Sequence, residues 1–387
     1  MTAPIIIIGS GLAAYSLARE LRKLDTTTPL TVISRDHAGF YSKPMLSNAL
    51  ANKKSAAQLL MKSAETMAAE LDATIFPHTQ VRSIDPALKE IHLCDDTILA
   101  YRDLVLALGA DPIRLPLAGN AADQVLSVND LDDFVRFSQA LHGAKTVAIL
   151  GAGLIGCEFA NDLLALGMKP IVLDPAHWPL ARLLPAEAGK HYAQRLSAAG
   201  VEFRFGVAAQ SVDKHKHAYQ LTLSDGAMMC ADVVLSAVGL RSRTQLAQAA
   251  GLQVNRGVVV DRQLQSSQVH IYALGDCAEV AGLSLPFVMP IMQQARALAA
   301  TLAGTSTSVK YPPMPVVVKT PACPAVLAPP AMGAQGEWQI DEDAQGMSAR
   351  FVDAAGAVLG FGLLGAAVSQ KQSLSQQLPA DQFANPS

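Results

Sequence analysis

The chain has 387 residues, 50% of them hydrophobic and only 16% charged, with a formal net charge of −3. That exceeds the roughly 250–300 residues one core sustains, so two or three domains are expected, and the charge balance gives no electrostatic case for nucleic acid. No run of 18 uncharged apolar residues reads as a membrane span, the first apolar run starts too near Met1 for a secretory leader, and five scattered cysteines without a CxxC suit neither a disulfide framework nor a zinc site, so a cytoplasmic protein with cysteines as small buried hydrophobes is expected.

Ile5-Ile6-Ile7-Ile8 is a β-branched run suited to a parallel strand buried on both faces. Gly9-Ser10-Gly11-Leu12-Ala13-Ala14 follows: Gly9 permits a tight turn, Gly11 lets backbone approach a pyrophosphate, and Ala14 takes the third small position, where helix packs on strand. Ala14, Leu17, Ala18 and Leu21 then mark an amphipathic helix whose N-terminus offers free N–H groups to phosphate. The next strand, Leu30 to Ser34, ends in Ser34, Arg35 and Asp36 without the usual Glu for the ribose hydroxyls, so that contact is either displaced or made by Ser34 and Arg35. Lys43 lies among Phe40, Tyr41, Met45 and Leu46, and Pro44 biases its backbone to extended geometry.

The first pattern recurs 142 residues later. Strand Thr146–Leu150 leads into Gly151-Ala152-Gly153-Leu154-Ile155-Gly156, and Ile155, Phe159, Leu163 and Leu166 continue as a helical apolar stripe. Strand Ile171–Leu173 ends at Asp174, 18 residues after Gly156, an acid able to accept from both ribose hydroxyls and to repel a 2′-phosphate. NADH is therefore expected over NADPH. Two such loops imply two dinucleotides or one duplicated fold. Glu158 sits in the early turns of the second helix, where a carboxylate also suits the helix dipole. Val316–Val318 is a short strand ending at Lys319, and Val81 follows His78-Thr79-Gln80 on another.

Through these two loops the chain resembles the FAD-dependent pyridine nucleotide–disulfide oxidoreductase superfamily. Tyr101 to Ala110, Asp232 to Gly239 and Ile271 to Ala278 are similar to its further strand motifs. Superfamily members that reduce disulfides or peroxides carry reactive cysteines beside the flavin. Here the corresponding stretch, Tyr41-Ser42-Lys43-Pro44-Met45-Leu46-Ser47, has no sulfur. That stretch, the run Gly151 to Leu163 and Val318-Lys319-Thr320-Pro321-Ala322-Cys323-Pro324 resemble the rubredoxin–NAD(+) reductase family over essentially the whole chain.

The resemblance implies an α/β fold: two Rossmann-like three-layer dinucleotide-binding domains, one for FAD and one for NAD, plus a small C-terminal α+β domain. Its FAD domain would be discontinuous, 1–111 and 243–312, with the NAD domain at 112–242 and the C-terminal domain at 313–387. FAD contacts are implied for Gly9 to Ala14, Ser34, Arg35, Lys43, Val81 (through its backbone, to adenine), Ala107, Gly109, Glu158, Asp276 (to a ribitol hydroxyl), Val288 and Lys319 (to the flavin ring). NAD contacts are implied for Gly151, Gly153, Leu154, Ile155, Gly156, Asp174 and Gly239. Lys43 paired to Glu158 would order the nicotinamide for hydride transfer to the flavin, Lys43 and Glu158 being the implied catalytic residues. Electrons would leave singly for an external carrier, rubredoxin, feeding an alkane hydroxylase. A ferredoxin reductase of an oxygenase system and an NADH-sensing flavoprotein are the alternatives. No metal site is expected. The polar tail from Ser369 is expected to be helical before it frays.

Overall fold

The computed structural model describes residues 3–380. Five strands form one parallel sheet in the order Ile271–Ala273, Asp103–Leu106, Ile5–Ile8, Leu30–Ile33, Thr74–Phe76. The central three are buried along their whole length. That burial is why their sequences are nearly uninterrupted apolar runs rather than alternating ones. Helices Leu12–Arg22 and Val288–Leu302 pack together beside this sheet, and Val81–Asp85, Glu90–Leu93 and Ile98–Ala100 form an antiparallel meander.

A second parallel sheet has the order Glu202–Phe205, Lys169–Asp174, Thr146–Leu150, Val233–Ser236. Helix Leu154–Leu164 follows its Thr146–Leu150 strand, repeating the strand–glycine–helix unit of the first sheet. Ala209–His215, Ala218–Leu223 and Met228–Ala231 make an antiparallel sheet sharing its apolar cluster. The C-terminal part is a five-stranded antiparallel sheet: Val316–Val318, Ala325–Ala328, Val358–Gly365, Gly346–Val352, Glu337–Glu342. Leu374 of the short helix Lys371–Ser375 joins one of its apolar faces. The expected polar helical tail thus begins as a 3₁₀ turn and this helix; residues 381–387, where fraying was expected, lie outside the described residues. The α/β class with two Rossmann-like units and a C-terminal α+β part is what the structure has.

The chain divides into two compact units. One comprises the chain through Ser42, Leu60–Asp111 and Leu240–Tyr311; the other comprises Lys43–Leu59, Pro112–Gly239 and the chain from Pro312 onward. This differs from the expected boundaries in two ways. Lys43–Leu59 groups with the second nucleotide loop rather than with the first. The C-terminal sheet belongs to that same unit, because the helix Ala186–Ala198 packs on it and Tyr192 Oη donates to Thr320 Oγ1 at 2.9 Å. Local sequence cannot reveal either grouping, since each is set by contacts more than 100 residues apart.

Candidate active site

Gly9 has φ +119°, and a Cβ there would lie 2.2 Å from the Ala107 carbonyl oxygen. Only glycine lets the chain turn so close to the neighbouring strand. A Cβ at Gly11 would meet nothing within 4 Å. The helix that starts there has no side-chain cap and no acid in its first turn. The second loop repeats this: Gly151 has φ +104°, a Cβ at Gly156 would strike the Gly151 carbonyl oxygen at 2.0 Å, and Gly153 faces open space before a helix with no side-chain cap. Each loop therefore leaves first-turn N–H groups uncapped and facing open space, the arrangement a dinucleotide pyrophosphate requires. By this measure both loops fit a dinucleotide.

Around the first loop, Leu12 and Ala13 are half-buried and Ala14 fully buried. Ser10 Oγ lies 2.7 Å from Ser34 Oγ, and both hydroxyls donate to Asp36 Oδ1, at 3.1 and 2.7 Å, beside the Ala38 N–H at 2.9 Å. A carboxylate thus lies beside the first loop two residues past the strand end, at Asp36. Desolvation works against its charge, but the Ser34 hydroxyl, the Ala38 N–H and the Ser10 hydroxyl outweigh that and hold the carboxyl below the usual range. Ser34 sits inside this network. Arg35 turns instead to Asp111, 3.5 Å away, a carboxylate it shares with Arg243. Ala107 and Gly109 (φ +70°) follow strand Asp103–Leu106. Val81 opens its strand at a register irregularity, with its side chain buried. Asp276 lies in the 3₁₀ turn Gly275–Cys277, which Gln294 anchors by accepting the Gly275 N–H at 2.7 Å and donating to Tyr311 Oη at 2.9 Å. Val288 begins the helix Val288–Leu302 and is exposed.

In the other unit, Asp174 ends its strand and accepts the Ala152 N–H at 2.6 Å and the Ala176 N–H at 2.8 Å. Its carboxylate is therefore seated on the glycine loop itself. Leu154 is half-buried, and Ile155 is exposed at the helix opening, as is Leu166 at its far end; both had been expected on the buried stripe. The buried apolar side is carried by Gly156, Cys157, Phe159, Ala160 and Leu163. Gly239 has φ +110° at the chain's exit from strand Val233–Ser236.

Glu158, on the second turn of that helix, is 4% exposed. Its carboxylate accepts Ser47 Oγ at 2.5 Å and the Lys319 backbone N–H at 2.9 Å, with Lys319 Nζ at 2.8 Å. Lys319 Nζ also donates to Ser47 Oγ at 3.0 Å and to the Pro44 carbonyl. Here the expected pairing is corrected: the cation seated on Glu158 is Lys319, while Lys43 Nζ lies 3.4 Å from Asn129 Oδ1. Lys43 was also expected in extended geometry; it opens the 3₁₀ helix Lys43–Asn48, where Pro44 takes an early position that needs no N–H. One turn beyond Glu158, Asn161 Oδ1 accepts the Ala322 N–H at 3.0 Å, and Asp162 accepts the N–H groups of Leu50 and Ala51. One helix thus holds two segments remote in sequence. Sequence reasoning missed Asp36, Ser47 and Asp162. The available signals were short polar residues following a strand, and an acid four residues after Glu158 on an otherwise apolar helix.

Cys157, Cys277 and Cys323 are buried and Cys94 and Cys230 exposed. Burial pushes the buried thiols up, Cys277 to about 11. Among the described residues no cluster of His, Cys, Asp and Glu could hold a metal ion, and no helix is long and apolar enough to cross a membrane.

Residues 3–301 match the pyridine nucleotide-disulphide oxidoreductase family, and residues 308–378 match a rubredoxin binding C-terminal domain. A rubredoxin-NAD(+) reductase of Alcanivorax borkumensis is 47% identical over 97% of this chain and 99% of its own length. One from Acinetobacter baylyi is 44% identical, over 97% and 98%. Among solved structures, a ferredoxin reductase from Rhodopseudomonas palustris superposes with a TM-score of 0.88 at 26% identity, covering 98% of this chain and 96% of that one. The chain belongs to the pyridine nucleotide-disulphide oxidoreductase family, in the group that contains these rubredoxin-NAD(+) reductases.

Proposed function

We propose that this protein is an NADH:rubredoxin oxidoreductase using FAD and NADH. The observation that carries the reading is the rubredoxin-binding match of residues 308–378, joined to full-length similarity to two rubredoxin-NAD(+) reductases. Bound FAD supplies the needed conversion, taking electrons as a hydride from NADH and giving them up one at a time.

The chain's own residues bind and orient. Gly9 to Ala14 offer helix N–H groups to the FAD pyrophosphate, and Asp36 with Ser34 offers a carboxylate for the adenosine ribose. Val81, Ala107, Gly109, Asp276 and Val288 complete the FAD contacts in this proposal. Gly151, Gly153, Leu154, Ile155, Gly156 and Gly239 do the same for NADH, and Asp174 accepts from its ribose and rejects a 2′-phosphate. Glu158, Lys319 and Lys43 act at the reacting ends, where their charges hold the nicotinamide and the flavin ring in register. The buried position of Glu158 keeps water from its carboxylate and strengthens that hold.

The test is acceptor choice. The FAD-loaded protein is reduced with NADH in a stopped-flow instrument and mixed with purified rubredoxin or ferredoxin. Faster reoxidation by rubredoxin is expected, and preference for ferredoxin would overturn the reading in favour of a ferredoxin reductase. Slow turnover with every carrier would point to an NADH sensor. We further place the protein in the cytoplasm, with its reduced carrier supplying an alkane hydroxylase. The similarity to rubredoxin reductases supports this extension, and a deletion strain that grows normally on alkanes would refute it.

A further inference from the structure

Asp162 lies one turn beyond Glu158 on the same helix and has no part in the proposed function. It is 2% exposed. Its Oδ2 accepts the Leu50 N–H and its Oδ1 the Ala51 N–H, both at 2.9 Å, across 112 and 111 positions of sequence. Leu50 and Ala51 come just after the 3₁₀ helix Lys43–Asn48. Glu158 grips the same segment through Ser47, one helical turn away. Two consecutive N–H groups on the two oxygens of one carboxylate fix both separation and rotation of this part of the chain.

We propose that Asp162 is a positioning residue: its carboxylate latches Leu50 and Ala51 to the helix after the second glycine loop and so sets where Lys43 and Ser47 stand. This rests on the function proposed above.

A purely structural role accounts poorly for the residue. Asp162 and Glu158 are like charges four apart on one helix, which repel. Burial pushes the Asp162 carboxyl up to about 6, against the N–H groups of Ala51 and Leu50 and the charge of Lys319, with Glu158 adding to the rise; these are the groups that face it from its own helix, the gripped segment and the C-terminal segment. A carboxyl raised on folding favours the folded state only while protonated. Its contribution is lost as pH rises from the ordinary carboxylate value to about 6. At neutral pH ionised Asp162 therefore detracts from stability while holding the segment.

The test is Asp162→Asn in the FAD-loaded protein. An amide keeps one acceptor oxygen and turns an NH₂ group toward the other N–H. Hydrogen exchange at the Leu50 and Ala51 amides should lose protection by about tenfold or more. The melting temperature at pH 7.5 should be unchanged or higher, and kcat with NADH should fall about tenfold with KM little moved. Wild-type exchange at both amides, or faster exchange with unaltered kcat, overturns the proposal. If the wild type itself oxidised no NADH with any carrier, the functional reading would fail, while the exchange measurements would still decide whether the latch exists.

Discussion

Removing the charge of Glu158 should weaken the second unit by about 2 kcal/mol, and most of that loss should depend on Lys319. The carboxylate holds three hydrogen bonds, from Ser47 Oγ at 2.5 Å, from the Lys319 N–H at 2.9 Å and from Lys319 Nζ at 2.8 Å. Breaking a fully buried pair by deleting one partner costs about 3–5 kcal/mol. Here the Glu158 side chain is 5% exposed but that of Lys319 is 28% exposed, so the stranded ammonium can turn to water and about half the penalty is relieved. At about 2–4 °C per kcal/mol for a unit of this size, Glu158→Gln should melt about 4–8 °C lower. A double-mutant cycle with Lys319→Met separates the pair from the other bonds Lys319 makes to Pro44 and Ser47. Denaturant unfolding of the four proteins should give a coupling of about 1–2 kcal/mol. Additivity within about 0.5 kcal/mol, or a larger coupling of Glu158 to Lys43, would refute the assignment of Lys319 as the partner.

Gly9→Ala places a Cβ 2.2 Å from the Ala107 carbonyl at φ +119°, so loss of about 3 kcal/mol or more and failure to retain FAD are expected; a stable, yellow variant would contradict the loop geometry. Asp174→Ser removes the carboxylate seated on the Ala152 N–H, and the NADH-over-NADPH ratio in kcat/KM should fall about tenfold; an unchanged ratio would remove Asp174 from cofactor selection. Iodoacetamide at pH 8 should label exposed Cys94 and Cys230 and spare buried Cys277, whose thiol, raised to about 11, stays protonated there; inactivation that tracks labelling of a buried cysteine would show that sulfur takes part in turnover.

Both glycine loops were readable because their geometry is local: a positive φ and a close strand leave only glycine at Gly9 and Gly151, and the flanking apolar runs state the parallel sheet. Asp174 was readable for the same reason, standing at a strand end a fixed distance from its loop. Lys319 as the partner of Glu158 was not. Lys43 and Lys319 are both lysines beside a proline or an apolar strand, and which one meets the carboxylate depends on a chain path 161 residues long. Asp36 was passed over because the expected acid ends the strand, whereas this loop reaches it by a turn whose Ala38 N–H binds the same oxygen.

Helix Leu154–Leu164 joins three tasks on one rigid rod: its opening turn faces the nucleotide loop, Glu158 meets Lys319, and Asp162 holds the Leu50–Ala51 backbone. One residue inserted before Glu158 would rotate everything after it by about 100° and swing both carboxylates away together. Evolution can therefore vary this rod by substitution but hardly by length, and an engineer who transplants the second glycine loop must carry the next two turns and both tethered segments along with it.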